Sequence, residues 1–256
     1  MTTLDFIISA ERDVGFREGP KGTHTSRTIM VAELDRVLRA GALGEELESA
    51  VLDENILEKA TTSGRSLTLQ RLRELYGLDS SIPLFRTLSS LWAKDPKSLP
   101  LLAVLAALAR DPLLRATAKP VVSLANGAEL IRDSLRDAVS AAVGSRLNAA
   151  TLDKVIRNAS SSWAQSGHLV GRTFKRRVHV AATPAAMAFA VWLAQAAGFT
   201  GEDILSSGWV AVLDLDPAER KAMLERARAA GLIDVRQLGS GLEIDASRLS
   251  GLRAPA

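Results

Sequence analysis

The sequence predicts a mainly helical protein: a multi-helix, bundle-like body followed by a C-terminal helical segment that ends in a β-hairpin. Three observations predict it. Apolar residues recur at steps of three and four along most of the chain. Capping and breaking residues bracket those runs. Two short β segments stand together only at 232–245, either side of Gly239-Ser240-Gly241. A chain of 256 residues, 47% of them hydrophobic, can bury a sizeable core.

The elements follow in order. Ile29, Val31, Leu34, Val37 and Leu38 make one helical stripe, with Thr25 or Ser26 as cap and Gly41 as stop. A second helix is expected from Glu45 to Glu58 through Leu47, Val51, Leu52, Ile56 and Leu57. The cluster Thr61-Thr62-Ser63-Gly64 caps a third, with Leu67, Leu69, Leu72 and Leu75, ending at Tyr76-Gly77. Pro83 suits the first turn of a fourth, whose apolar positions are Leu84, Phe85, Leu88, Leu91 and Trp92. Leu99–Ala109 is a nearly uncharged run. It would span about 16 Å as a helix, roughly half a bilayer core, and therefore reads as a buried core helix. Pro112–Ala118 is a further short helix.

Asn126-Gly127 marks a turn, after which Glu129–Val143 reads as an amphipathic helix through Leu130, Ile131, Leu135, Ala138 and Val139. Asn148 opens another, Thr151 to Trp163. Beyond the basic segment come an alanine-rich helix from Pro184 to Ala197 and a break at Gly198–Gly201. Ser206–Asp214 is a short helix or extended piece, and a strong helix, Ala218–Ala230, opens at Asp216-Pro217 and closes at Gly231. Helix, helix, hairpin is the order of a winged helix, and equally that of a helical end carrying a surface hairpin. The chain divides at about 180, into a helical body 1–180 and a C-terminal region 181–256, with packing of the two as one unit left open. No repeat and no low-complexity linker interrupts it.

Charge is the most informative feature for function. Residues 146–180 hold seven Lys/Arg and one acid, Asp153, although the whole chain nets only +3. The remainder is therefore mildly acidic, and the positive charge is concentrated where it can face a polyanion. The same window carries Trp163, His168, Phe174, His179, Gly167 and Gly171, a mixture suited to phosphate contact. A solvated charged face is the competing reading.

Lys154 and Arg157 lie three apart, on one helical face. Arg172, Lys175, Arg176 and Arg177 are expected to form a phosphate-contacting strip beside them. If 174–180 is extended, Lys175 and Arg177 point one way, and Phe174, Arg176 and Val178 the other. Gly167 and Gly171 would let backbone approach a phosphate. Arg65, behind Thr61–Gly64, adds a guanidinium near a helix N-terminus, where backbone N–H groups favour an anion.

Catalytic chemistry is not indicated. The chain has no cysteine, which removes disulfides, thiolate zinc sites and cysteine nucleophiles and fits a reducing compartment. His24, His168 and His179 form no H-E-x-x-H or H-x-x-x-H pair. Asp214 and Asp216 read as capping groups, and Gly15–Gly22 is no P-loop. No cofactor, metal or catalytic residue is expected. The N-terminus lacks the basic-then-apolar order of a secretory signal, so a cytoplasmic protein without a membrane span is expected.

Leu75-Tyr76-Gly77-Leu78-Asp79, Leu84–Trp92, Leu108–Leu114 and Ser161–Arg172 resemble the corresponding stretches of the BrxA family, accessory proteins encoded in BREX phage-defence loci. The similarity runs from roughly Arg27 to Ile244. It implies a cytoplasmic, mainly helical, non-catalytic protein that binds DNA as part of host discrimination from phage, and it supplies no residue-level site. The leading expectation is a non-enzymatic double-stranded DNA-binding accessory protein with other defence proteins as further partners. Two alternatives stand. One is a sequence-specific winged-helix regulator reading DNA with Ala218–Ala230, where Arg220, Lys221, Arg226 and Arg228 mix with Glu219 and Glu225. The other is a helical adaptor for an acidic protein or structured RNA.

Overall fold

Helix boundaries fall largely where short polar side chains and prolines put them. The computed structural model describes residues 4–6, 14–18, 22–238 and 241–250. Among these the chain forms fourteen α-helices and two antiparallel hairpins. The first nine helices are α1 (Val31–Ala40), α2 (Gly44–Leu52), α3 (Thr62–Tyr76), α4 (Pro83–Lys94), α5 (Leu99–Arg110), α6 (Pro112–Ala116), α7 (Ala118–Val122), α8 (Arg132–Val143) and α9 (Ala149–Gln165). Strands β1 (Leu169–Val170) and β2 (Arg176–Arg177) follow. Then come α10 (Pro184–Ala196), α11 (Asp203–Ser206), α12 (Gly208–Ala211) and α13 (Pro217–Ala229), the hairpin β3 (Asp234–Leu238) and β4 (Gly241–Asp245), and α14 (Ser247–Ser250). The protein is thus mainly helical, with a hairpin close to its C-terminal end.

Thr61, Asn148, Thr183 and Asp216 each accept a backbone N–H from the first turn of α3, α9, α10 and α13, and Asp216 completes a capping box with Glu219. Such caps contribute about 1 kcal/mol each. Helix α1 departs from the expected pattern. Neither Thr25 nor Ser26 caps it. Met30 precedes it in the left-handed region, at φ 52°, and the Val31 N–H is received by Gln165 Oε1 from α9 at 3.2 Å. A tertiary contact replaces the local cap.

Two expected helices are shorter than their apolar spacing suggests. The helix expected over Glu45–Glu58 stops at Leu52, and Asn55 and Glu58 turn left-handed at φ 57° and 52° to bring Leu57 into the core. The helix expected from Glu129 begins at Arg132, because Glu129 pairs with Arg176 and the Leu130 N–H donates to the Lys175 carbonyl at 2.8 Å. Strand pairing takes those residues away from the helix. Leu130 is buried, and Ile131 is turned out.

The core is organised around α5. Apart from Pro100, every residue of α5 is buried, and α1, α3, α4, α9 and α10 pack on it. Its alanines let neighbouring helices approach closely. Helix α10, similarly alanine-rich, packs against α4, α5, α12 and α13. One hydrophobic cluster therefore runs from Phe16 to Leu249, and a dividing line at 180 passes through it.

One polar network is embedded in this core. Asp111 Oδ1 accepts the Leu113 and Leu114 N–H groups at 2.9 and 3.3 Å, starting α6. Asp111 Oδ2 lies 2.7 Å from His24 Nδ1 and accepts the His24 N–H at 3.0 Å. His24 Nε2 reaches Ser162 Oγ at 2.8 Å. That hydroxyl accepts the Ile29 N–H at 3.0 Å and donates to the Asn158 carbonyl at 2.9 Å. Gly22 is required beside it, since a Cβ there would run into the Asp111 carboxylate. Burial alone would raise the Asp111 carboxyl, but His24 and the hydrogen bonds from His24 and Leu114 outweigh it and hold it below the usual carboxylate range. Asp111→Ala leaves three backbone N–H groups and the His24 ring without their acceptor. The expected loss is about 3–5 kcal/mol of stability, read as a lower urea midpoint.

Candidate nucleic-acid interface

The basic segment is folded by the end of α9. The helix closes at Gln165, Gly167 turns left-handed at φ 89°, and β1 starts two residues later. Gly171 makes the tight part of the hairpin at φ 100°, where a Cβ would run into the Phe174 carbonyl oxygen. No side-chain-bearing residue fits that turn without moving the backbone. β1 and β2 pair with Leu169 opposite Arg177 and Val170 opposite Arg176. Residues 127–130 add a third edge. Gly127 N–H donates to the Arg177 carbonyl at 2.8 Å, Arg177 N–H to the Ala128 carbonyl at 2.9 Å, and Glu129 bridges Arg176.

Directly opposed residues share a face of the sheet. The inner face carries Leu169 and Arg177, and the outer face Val170, Arg176 and Glu129. One further bond, from the Leu130 N–H to the Lys175 carbonyl, extends the pairing, and Ile131 and Phe174 follow next to it. Phe174 and Ile131 are each 68% exposed and Val170 50%.

This arrangement corrects the expected strip at Arg177. Its side chain is 1% exposed and joins four groups: the Val121 carbonyl at 2.9 Å, the His168 carbonyl at 3.2 Å, the Val178 carbonyl, and the Asp214 carboxylate. Asp214 also accepts the Val180 N–H at 3.0 Å and adopts φ 57° to do so. Arg177 is a buried cross-link between α7, the hairpin and the α12–α13 connection, and it is closed to phosphate. Arg176 and Arg177 fall on opposite sides of the strand, as expected, and it is Arg176 that stays outside. Leu169 fixes its face inward, and Arg177 goes with it.

The other expected residues divide into three groups. Arg172 and Arg176 are exposed at the hairpin. Arg176 also donates to the Gly127 carbonyl at 3.1 Å and stands 3.8 Å from Glu129. Lys175 is half-buried and folds back onto the Gly171 carbonyl at 3.3 Å. Lys154 and Arg157 are exposed on α9, about 17 and 12 Å of helix rise before its end, so they form a second cluster apart from the hairpin. Arg65 is a correction of the same kind as Arg177. It donates to the Leu52 carbonyl at 2.7 Å and the Lys59 carbonyl at 3.3 Å, tying off the end of α2 instead of forming an open anion fork. Arg132, the exposed first residue of α8, follows directly on the 127–130 segment paired with the hairpin and lies outside the basic window of the sequence.

At the C-terminal end, Arg220 donates to the Leu215 and Leu205 carbonyls, both at 2.9 Å, and Arg228 pairs with Glu225 at 2.7 Å. Lys221 and Arg226 are exposed on α13. Gly239 and Ser240 of the expected hairpin turn lie outside the described residues.

Two further polar clusters are held mainly by structural bonds. A cleft of about 990 Å³ is lined by Lys119, His179, Asp214, Asp216, Glu219 and Arg220 among others. Asp214 is paired with Arg177, and Asp216 and Glu219 are the α13 capping box. The Asp111–His24–Ser162 chain has the order of a hydrolytic triad, but His24 and Ser162 are fully buried and the serine oxygen is already bonded to Ile29, Asn158 and His24. It braces the fold and faces no substrate space. Among the described residues no group of three His, Asp or Glu is placed to hold a metal ion, and no helix is long and apolar enough to cross a membrane.

His168 supports the hairpin from within. Its Nε2–H donates to the Val212 carbonyl at 2.8 Å and its Nδ1 faces Ser166 Oγ at 2.8 Å, beside the edge of Trp163. Burial, reinforced by Arg177 against the opposing pull of Asp214, brings its pKa down from 6.5 to about 4. The unfolded chain therefore takes up this proton before the folded one does. The associated stability is complete above about pH 6.5 and falls as the pH drops towards 4. Between pH 7.5 and 5.0 this group contributes a loss of about 2 kcal/mol, and urea unfolding at the two pH values should show that difference shrinking in His168→Asn. Arg177→Met, which strands the buried Asp214 carboxylate, should cost about 3–5 kcal/mol in the same assay.

No protein-family model and no curated protein matches the chain.

Proposed function

We propose that this protein is a non-enzymatic double-stranded DNA-binding protein that acts in the bacterial cytoplasm as an accessory of a BREX-type antiviral system. One observation carries the DNA-binding part. From Lys154 to Gly201 the chain contains six Lys/Arg and no acid, and five of those cations, all but the buried Arg177, reach solvent at least in part. A surface of that kind releases condensed counterions when it meets a phosphate backbone. Arg172 and Arg176 on the hairpin carry the principal contacts, Lys175 supports the turn between them, and Lys154 and Arg157 extend the footprint along α9. The resemblance of Leu75–Asp79, Leu84–Trp92, Leu108–Leu114 and Ser161–Arg172 to BrxA proteins supports the defence role and the association with other defence proteins.

A second reading has its own support: α13 is followed at once by the β3–β4 hairpin, in winged-helix order. In that case Lys221 and Arg226 would enter the major groove and binding would be confined to a defined operator. A footprint at one sequence favours it, and equal affinity for unrelated duplexes rejects it. An adaptor for an acidic protein or RNA would be revealed by competition, as tight partner binding with no DNA binding.

The deciding experiment leaves Arg177 untouched, because its loss would damage the fold. Arg172→Ala combined with Arg176→Ala should weaken binding to all duplexes alike and reduce the salt slope by up to about 2. Titration of unrelated duplexes at several salt concentrations measures this. Parent-like binding by the folded double variant overturns the assignment of the hairpin as a phosphate contact.

A further inference from the structure

The outer face of the β1–β2 hairpin carries more than charge. Phe174, Ile131 and Val170 are the large hydrophobic residues most exposed among the described residues, and all three belong to the hairpin or to the segment paired with it. Half or more of each side chain faces solvent, yet their positions are built. Gly171 admits no Cβ, Lys175 closes the turn onto the Gly171 carbonyl, and β2, paired on both sides, begins two residues after Phe174. The aromatic ring stands at the tip of a defined turn.

Its surroundings select the partner. Arg172 lies two residues before Phe174, Arg176 two residues after, and Arg132 adjoins Ile131, all of them exposed. The acids nearby are paired: Glu129 is faced by Arg176 at 3.8 Å, and Asp133, next to Arg132, by Arg136 at 3.5 Å. An apolar tip ringed by guanidinium groups is complementary to a polyanion that also offers flat apolar surface. Nucleic acid has both, in its phosphates and its bases. In an intact duplex the base faces are covered by their neighbours. An aromatic side chain gains contact with them only by prising a step apart or by finding one already open.

We propose that Phe174, supported by Ile131 and Val170, is a base-stacking wedge, and that the DNA this face takes is a duplex with an unpaired or unstacked step. This rests on the DNA-binding reading above. Arg172 and Arg176 grip the phosphates on either side of the opened step, and the ring stacks on the exposed base.

The test compares one 20-bp duplex with the same duplex carrying a two-nucleotide bulge that contains 2-aminopurine. The parent protein should bind the bulged DNA about tenfold more tightly than the intact one, and Phe174→Ala should lose most of that preference while changing affinity for intact duplex by less than about twofold. Phe174→Trp should keep the preference and alter the 2-aminopurine fluorescence on binding. Because the ring is exposed, both variants should unfold thermally as the parent does. Equal parent affinity for the two DNAs, or a preference that survives Phe174→Ala, overturns the wedge while leaving phosphate binding in place. If the parent binds neither DNA at low salt, the DNA-binding reading itself fails and the wedge falls with it.

Discussion

A single buried carboxylate sets the relation between segments that are far apart in sequence. Asp111 starts α6 with one oxygen and holds the backbone and ring of His24 with the other. Through His24 and Ser162 it reaches the segment before α1 and the last turn of α9. A charge in that position is costly unless every lone pair is matched, and here N–H groups match them from several directions. The matching is geometrically demanding, so the irregular stretch 22–30 can lie in only one way across α9. The position of α9 in turn determines where the hairpin emerges.

Buried arginines do the corresponding work for loose carbonyls. Arg110 donates to the Glu74 and Arg73 carbonyls at the end of α3 and to Gly15, and burial, with Arg17 nearby, lowers its pKa to about 10. Arg65 serves the end of α2, and Arg177 gathers three carbonyls and a carboxylate under the hairpin. A guanidinium has five donors in a flat fork, which suits places where chain ends leave several acceptors together. Several arginines of this chain are thus internal fasteners, and its cationic surface is smaller than its composition suggests.

That division explains what was legible in the sequence. The apolar run at 99–109, the caps Thr61, Asn148 and Asp216, and the C-terminal hairpin all announce themselves through local chemistry, and the helices form where that chemistry points. The concentration of charge between 146 and 180 was equally visible. What a single strand of text does not carry is direction. Arg176 and Arg177 are chemically identical neighbours, and only the pairing with Leu169 and Val170 decides which one turns inward. Glu129–Ile131 satisfies a helical pattern, but its hydrogen bonds are made with a strand almost fifty residues away, and no local signal encodes them. Arg65 likewise needs the end of α2 beside it before its role can be seen.

The main core has a mechanical consequence. Helix α10 packs against α4 and α5 as well as α12 and α13, so among the described residues the main core draws on both sides of position 180. Such a molecule is expected to melt in one cooperative step, with a single calorimetric transition. Occupancy of any one surface then raises the melting point of the whole. A ligand gripped at the hairpin would slow hydrogen exchange as far away as α4, and cutting the chain near 180 would yield fragments unable to fold in isolation, not two working modules.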